Sequence, residues 1–125
     1  MPDAIAQFAT AKYLNLESFR RSGVGVRTPV WFAQEPGREI FYVYSEADAG
    51  KVKRIRNNSK VRMAPCNMRG NLRGAWIEAR ARICDAEEAA HGQQLLRGKY
   101  WLKIVGDFFA KLRGHKHAVL AIEPA

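Results

Sequence analysis

The stretch from residue 75 to residue 84 alternates so regularly between two kinds of side chain that it predicts a half-buried β-strand. Small or apolar residues take every second position: Ala75, Ile77, Ala79, Ala81 and Ile83. Trp76 and three charged residues, Glu78, Arg80 and Arg82, take the positions between them. Successive side chains of a strand point to opposite faces, so one face of this strand is expected to lie in a core. Alanines on that face suit the narrow interior of a small barrel.

Five further strands are predicted from β-branched and aromatic runs bounded by turn residues, at 13–20, 24–33, 40–45, 60–66 and 118–122. Apolar spacing predicts helices at 3–11, 49–57, 85–98 and 101–113. Asp48 is the expected N-cap of the second helix, and Asp85 with Glu88 forms a capping-box pattern at the third. The chain is therefore predicted to be a single domain over residues 1–125, mainly β with flanking helices, in a small closed or split barrel.

The segment between positions 51 and 62 carries six cations and no acid: Lys51, Lys53, Arg54, Arg56, Lys60 and Arg62. Val52 and Ile55 lie three residues apart on the predicted helix and are expected to face the core. A helix N-terminus carries partial positive charge and free N–H groups. Lys51 and Lys53, which lie nearest that end, are therefore predicted to meet a phosphate, with Arg54 or Arg56 adding to the field. An ordinary solvated helix is the alternative.

The charge of the whole chain also requires an account, because 125 residues carry a net charge of +9. A strongly basic protein is expected to attract anions, which can be nucleic acid or a phosphorylated cofactor, unless the charge serves only to keep the surface soluble. We expect a cytoplasmic location and no membrane association, because the sequence shows neither a signal peptide nor an apolar run of membrane-spanning length. The three histidines show no metal-binding spacing, and no metal site is expected.

Residues 28–32 place aromatic side chains beside a proline inside a predicted strand. Phe32 is expected in the core, whereas Pro29 and Trp31 share the other face. Proline cannot donate to a strand ladder, so Pro29 marks an edge, a bulge or the approach of another molecule. A flat heteroaromatic ring could lie against this backbone, although an ordinary edge strand would look similar. No nucleophile motif is present, so hard chemistry would come from a cofactor and no catalytic side chain is named.

Five segments occur in an order and spacing that resemble one known superfamily. They are Thr-Pro-Val-Trp-Phe at 28–32, Tyr-Val-Tyr-Ser at 42–45, Gly-Lys-Val-Lys-Arg-Ile-Arg-Asn-Asn at 50–58, Val-Arg-Met-Ala-Pro-Cys at 61–66 and Gly-Ala-Trp-Ile-Glu-Ala-Arg-Ala at 74–81. Together they resemble the pyridoxamine 5′-phosphate oxidase-like superfamily, and within it the flavin/deazaflavin oxidoreductase branch described as dependent on coenzyme F420. The resemblance covers nearly the whole chain, and residues 50–66 are its most specific part.

The resemblance implies a six-stranded antiparallel split β-barrel that forms a homodimer and holds F420 or FMN between its subunits. It implies an oxidoreductase that transfers a hydride to an unsaturated small-molecule acceptor. The implied cofactor-binding residues comprise phosphate ligands, ring contacts and pocket neighbours: Lys51, Lys53, Arg54, Thr28, Pro29, Val30, Trp31, Ser45, Ala64, Pro65 and Cys66. The acids near position 46 would oppose a phosphate if they point inward. The basic segment 97–116 would shape the substrate pocket or bind an acidic cofactor tail.

Two other hypotheses compete with this one. The barrel could be a non-catalytic flavin or haem carrier. It could also be a basic module that stacks bases on Trp31, Trp76 or Tyr44, although we do not expect nucleic acid on the leading interpretation. Cys66 and Cys84 are predicted to be free, mostly buried thiols, and a reactive or cofactor-facing Cys66 is the sharper alternative.

Overall fold

A computed structural model describes residues 3–47, 49–99 and 117–125 of the chain. Its helices and strands follow one another as α1 (Asp3–Ala6), β1 (Tyr13–Phe19), β2 (Gly25–Gln34), β3 (Phe41–Glu46), α2 (Gly50–Asn57), β4 (Lys60–Cys66), β5 (Ile77–Ile83), α3 (Ala86–Lys99) and β6 (His117–Pro124). None of the helices in these described ranges is long and apolar enough to cross a membrane.

The six strands close into an antiparallel barrel in the order β1-β2-β3-β6-β5-β4, with β4 returning to β1. The pairings differ in length. β1 pairs with β2 along seven positions, from Tyr13 opposite Trp31 to Phe19 opposite Gly25. β2 pairs with β3 only from Phe32 to Gln34. The first seven residues of β2 therefore diverge from β3, and this divergence splits the barrel along one side.

The barrel interior is filled by apolar side chains from all six strands, and helices close its two ends. At one end Phe8 packs against Phe32 and Phe41, with ring centroids 5.9 and 5.2 Å from its own. At the opposite end α2 inserts Val52 and Ile55 into the same core, as their spacing predicted. Burial of these side chains holds α2 against the barrel, so the charged residues of α2 are fixed in position.

A second apolar cluster forms where α3 lies on the outer face of the barrel, over β2, β3 and β6. Tyr42 and Tyr44 of β3 point into this cluster beside Leu96 of α3. Gly92 allows the close approach, because a Cβ built there would lie 3.0 Å from both Tyr42 Cδ1 and Val119 Cγ1. The outer face of β3 is therefore packed, whereas the neighbouring split is open.

The structure confirms the six predicted antiparallel strands and the barrel, and it corrects several boundaries. β5 begins at Ile77 rather than at position 75, because the backbone of Ala75 is bonded on both sides to the side-chain amide of Gln7. α2 begins at Gly50 with Ala49 as its N-cap and no side-chain cap, so the predicted start was one residue early. Asp48 lies outside the described residues, as does the helix predicted at 101–113.

The capping box predicted for α3 is half confirmed. The Glu88 backbone N–H donates to Asp85 Oδ1 at 2.9 Å, which satisfies one of the free donors at the helix start. The Glu88 side chain does not return to Asp85. It accepts from Arg82 and Tyr42 on the barrel instead, which ties the first turn of α3 to the sheet.

Candidate functional site

A groove of about 510 Å³ opens where β2 and β3 diverge, and we call it the split groove. Its size lies within the range of small-molecule and cofactor sites. It is lined by residues from β1, β2 and β3, from the loop after β4 and from the start of α2: Tyr13, Thr28, Pro29, Val30, Trp31, Tyr44, Ser45, Glu46, Ala49, Lys51 and Met68.

One wall of the split groove is the backbone edge of β2. Residues Gly25 to Trp31 are paired with β1 on one side, and β3 does not pair with them on the other. Backbone N–H and C=O groups along such an edge are available to hydrogen-bond a bound molecule. Pro29 lies in the middle of this segment, opposite Asn15 of β1, and removes one donor from it. The expectation that Pro29 marks an open strand edge is confirmed.

The cation of the split groove is Lys51, in the first turn of α2. Its side chain is half-buried, and it makes no salt bridge with any described residue. Burial lowers the pKa of Lys51 from its ordinary value of 10.5, and the nearby Arg54 lowers it further, whereas Glu46 opposes both effects. A cation that has lost hydration without gaining a carboxylate provides a favourable place for an anionic ligand.

The other cations of α2 have different surroundings. Arg54 turns toward the barrel end, where its Nε donates to Ser18 Oγ at 2.7 Å. Lys53 and Arg56 are exposed on the opposite side of the helix and line no part of the split groove. The structure therefore separates Lys51 from Lys53, although sequence reasoning assigned them the same role.

Aromatic side chains flank the open edge of β2 in the split groove. Tyr13 and Trp31, which are register partners on β1 and β2, have ring centroids 6.4 Å apart. Tyr44 closes the side next to α3, and burial raises the pKa of its hydroxyl although Arg97 of α3 acts in the opposite direction. Met68 reaches the rim from the loop after β4 and is 68% exposed. Flat apolar surfaces thus lie beside the open backbone edge in the same groove.

Of the residues proposed from sequence to bind a cofactor, six line the split groove: Thr28, Pro29, Val30, Trp31, Ser45 and Lys51. Lys53, Arg54 and Ala64 do not, and Ala64 is fully buried. Sequence reasoning missed Tyr13, Tyr44, Glu46, Ala49 and Met68 as lining residues. The strand alternation that selected Trp31 could have found Tyr13, whereas nothing in the loop sequence indicates Met68.

Pro65 and Cys66 line a different pocket of about 350 Å³, which shares only Tyr13 and Met68 with the split groove. Both cysteines are free, Cys66 being buried and Cys84 half-buried. Burial raises the pKa of the Cys66 thiol, which keeps it protonated and unreactive at neutral pH. These observations favour the interpretation of Cys66 as a packing residue.

The residues around the split groove can bind and orient a ligand, but they do not form a nucleophile–base pair. Among the lining residues that the structure describes there is no histidine or cysteine. Across the described ranges no three His, Cys, Asp or Glu side chains gather closely enough to hold a metal ion. The described lining residues thus offer a ligand backbone hydrogen bonds along β2, aromatic surfaces beside them and a cation at the α2 end.

No family model matches the chain, and neither does any curated protein. Solved structures do match it along nearly its full length. A candidate pyridoxamine 5′-phosphate oxidase from Listeria innocua is 17% identical with a TM-score of 0.65, covering 98% of this chain and 91% of its own. A Clostridium acetobutylicum protein related to general stress protein 26, of the pyridoxinephosphate oxidase family, is 10% identical with a TM-score of 0.69, covering 98% and 82%. The haem storage protein HutZ from Vibrio cholerae is 15% identical with a TM-score of 0.69, covering 99% and 89%.

The chain shares its split-barrel fold with these solved structures. The resemblance read from the sequence is confirmed at this level. The deazaflavin branch, the cofactor and the activity stay predictions.

Proposed function

We propose that this protein is an oxidoreductase that binds coenzyme F420 or FMN in the split groove. The observation that carries the proposal is the meeting, in one groove, of an open strand edge from Gly25 to Val30 and the half-buried Lys51. When bound, such a cofactor supplies a hydride for an unsaturated small-molecule acceptor. Its solved neighbours from the pyridoxine phosphate oxidase family support a redox function over a merely basic barrel.

The described residues fit such a cofactor in three respects. Thr28 to Val30 offer backbone groups for the polar edge of a flat ring, and Ser45 of β3 lines the same groove. Tyr13 and Trp31 offer apolar ring surface. Lys51 offers a positive charge for a phosphate at the start of α2, where free backbone N–H groups also point. Glu46 lines the same groove and weakens this field, so the phosphate is expected to lie on the Lys51 side.

We further propose that a second copy of the chain completes the groove. The rim includes Met68, which is largely exposed, and the half-buried Trp31. Exposed apolar side chains at the edge of a binding groove favour cover by another protein surface. The same proposal includes a cytoplasmic location, where reduced cofactors and small acceptors are available.

A non-catalytic haem carrier is the second candidate, and one observation favours it: HutZ, a haem storage protein, shares the fold. The described part of the split groove holds no histidine or cysteine, which are common protein ligands of haem iron. Tyr13 and Tyr44 are present in the lining, so a tyrosine ligand is the form that this candidate would take.

A titration of the purified protein with FMN, F420 and haemin separates these candidates. We expect saturable binding of FMN or F420 with one cofactor per chain, and weakening of about tenfold or more in Lys51→Ala, since a charge-assisted contact is worth about 1.5–3 kcal/mol. Lys53→Ala is the matched control, because it removes the same charge from the exposed side of α2.

Two results would contradict the proposal. Haemin binding that Tyr13→Phe or Tyr44→Phe abolishes, with no flavin or deazaflavin binding, would favour the haem carrier. Equal losses in Lys51→Ala and Lys53→Ala would mean that net charge, rather than the groove, attracts the cofactor.

A further inference from the structure

A second groove, of about 440 Å³, lies at the other end of α2, and we call it the far groove. It is formed by the end of β1, the turn into β2, the residue after α2 and the outer edges of β4 and β5. Its lining residues are Phe19, Gly23, Asn58, Lys60, Val61, Arg62, Glu78, Ala79, Arg80 and Ala125. It shares no residue with the split groove.

Positive charge dominates the far groove. Lys60 and Arg80 are register partners on β4 and β5, and Arg62 lies two residues further along β4. Glu78, the register partner of Arg62, is the one acidic side chain among the lining residues. None of the salt bridges between described residues joins Glu78 to a cation of this groove. Lys60 and Arg80 form no salt bridge with a described residue, whereas Arg62 pairs with Glu17 at 2.6 Å.

Arg62 is held in a fixed orientation. Its Nε donates to Glu17 Oε1 at 2.7 Å, and its guanidinium lies 4.9 Å from the centre of the Trp76 ring. Glu17 is nearly inaccessible and also accepts from Arg27, which lies 4.9 Å from the centre of the same indole. The two arginines lower the pKa of Glu17 despite its burial, so the carboxylate stays charged. A guanidinium ordered in advance loses little freedom when it binds an anion.

Arg80 borders the other side of the far groove. Its Nη1 donates weakly to Ser59 Oγ at 3.3 Å, and the side chain is otherwise exposed to solvent. A single long hydrogen bond leaves most of the guanidinium donors of Arg80 available for a ligand. Arg80 and its register partner Lys60 therefore present donors from neighbouring strands toward one space, beside Arg62, whose Nε and Nη2 already contact Glu17.

We propose that the far groove binds a small molecule carrying two or more phosphate or carboxylate groups. Lys60 and Arg80 on neighbouring strands suit two separate anionic groups, because an ammonium and a guanidinium each bind an oxyanion through charge-assisted hydrogen bonds. The half-buried Phe19 lines the same groove and can contact an apolar part of the ligand. This site is independent of the cofactor proposed for the split groove.

A nucleic acid strand is a poorer fit for the same charges. Single-stranded nucleic acid is bound by grooves that combine cations with aromatic rings on which bases stack. The half-buried Trp76 already lies against the guanidinium groups of Arg27 and Arg62. Phe19 is the one aromatic lining residue. The groove is therefore suited to a compact anion rather than a polymer.

The test is calorimetric titration with inorganic diphosphate at fixed low salt, performed on Lys51→Ala so that the split groove does not contribute. We expect one site per chain and weakening of about fivefold or more in Lys51→Ala/Arg80→Gln. Arg56→Gln in the same background is the matched control, because it removes an exposed arginine of α2 that does not line the far groove. Glu78→Gln is expected to tighten binding by removing the opposing carboxylate.

Thermal unfolding of each variant checks that the fold is kept. Glu78→Gln is a second safeguard, because tighter diphosphate binding cannot result from misfolding. Absence of binding in Lys51→Ala would overturn the proposal, as would equal losses in the Arg80 and Arg56 variants. Affinity for single-stranded oligonucleotides that increases with length and exceeds that for diphosphate would assign the surface to nucleic acid instead.

Discussion

Glu88 of α3 and Lys51 of α2 lie on different sides of strand β3 and have opposite surroundings. On the side covered by α3, Glu88 accepts from Arg82 at 2.7 Å and from the hydroxyl of Tyr42 at 3.3 Å. On the side of the split groove, Lys51 is half-buried and has no salt-bridge partner among the described residues. One charge is satisfied by the protein itself, and the other is not.

The pKa shifts show the same difference. The hydrogen bond from Arg82 lowers the pKa of Glu88 below its ordinary value of 4.5, so folding favours its charged form. Burial lowers the pKa of Lys51, so folding disfavours its charged form. A charge that stabilises the fold has a structural explanation. A charge that the fold tolerates at a cost is better explained by a ligand that the described chain does not supply.

The largest expected effect is the difference in stability loss between Tyr42→Ala, under α3, and Trp31→Ala, at the split groove. Tyr42→Ala should destabilise the protein by about 3–5 kcal/mol, because Tyr42 is buried in the cluster under α3. Trp31→Ala should cost about 1 kcal/mol, because Trp31 is only half-buried at the groove. Urea denaturation of both variants measures the difference. Similar losses would mean that the split groove is as much a part of the core as the α3 face.

A smaller effect is expected from Glu88→Gln. The contribution of Glu88 to stability is fully present above its unfolded pKa of about 4.5 and is lost as the pH falls through its lower folded value. The variant should be less stable than the wild type by about 1–2 kcal/mol near neutrality, and the two should converge as the pH drops below 4.5. Denaturation at a series of pH values tests this, and a constant gap at all pH values would contradict it.

The smallest effect, and the one of opposite sign, is expected from Lys51→Met. The unfolded chain holds the Lys51 proton more tightly than the folded one, so wild-type stability should rise as the pH climbs through the lowered pKa toward 10.5. At neutral pH the variant without cofactor should be as stable as the wild type or more stable, by at most about 1 kcal/mol. A clear loss of stability would show that the Lys51 charge supports the fold.

Much of the fold could be predicted from the sequence because it depends on patterns that are local along the chain. Period-two alternation located β5, and the spacing of Val52 and Ile55 gave the buried face of α2. The split groove was harder to predict from the sequence, because its opening depends on how far β2 and β3 stay paired. The pairing ends at Phe32, and no residue type at that position announces it.

The different positions of Lys51 and Lys53 could not be predicted from their charge. Both lysines lie in the first turns of α2, and their type and spacing gave no reason to prefer one. The choice depends on how α2 rotates when Val52 enters the barrel core, which turns Lys51 toward the groove and leaves Lys53 in solvent. Tertiary packing of one apolar residue therefore decides the role of its charged neighbours.

A contact between Lys51 and a cofactor phosphate is best measured by comparing the binding of each cofactor with that of its phosphate-free form. FMN and riboflavin, or F420 and its phosphate-free deazaflavin core, are titrated against the wild type and Lys51→Ala. We expect the substitution to weaken binding of the phosphorylated form by about tenfold or more and to change binding of the phosphate-free form by no more than about twofold. Equal losses for both forms, or no loss for either, would contradict it.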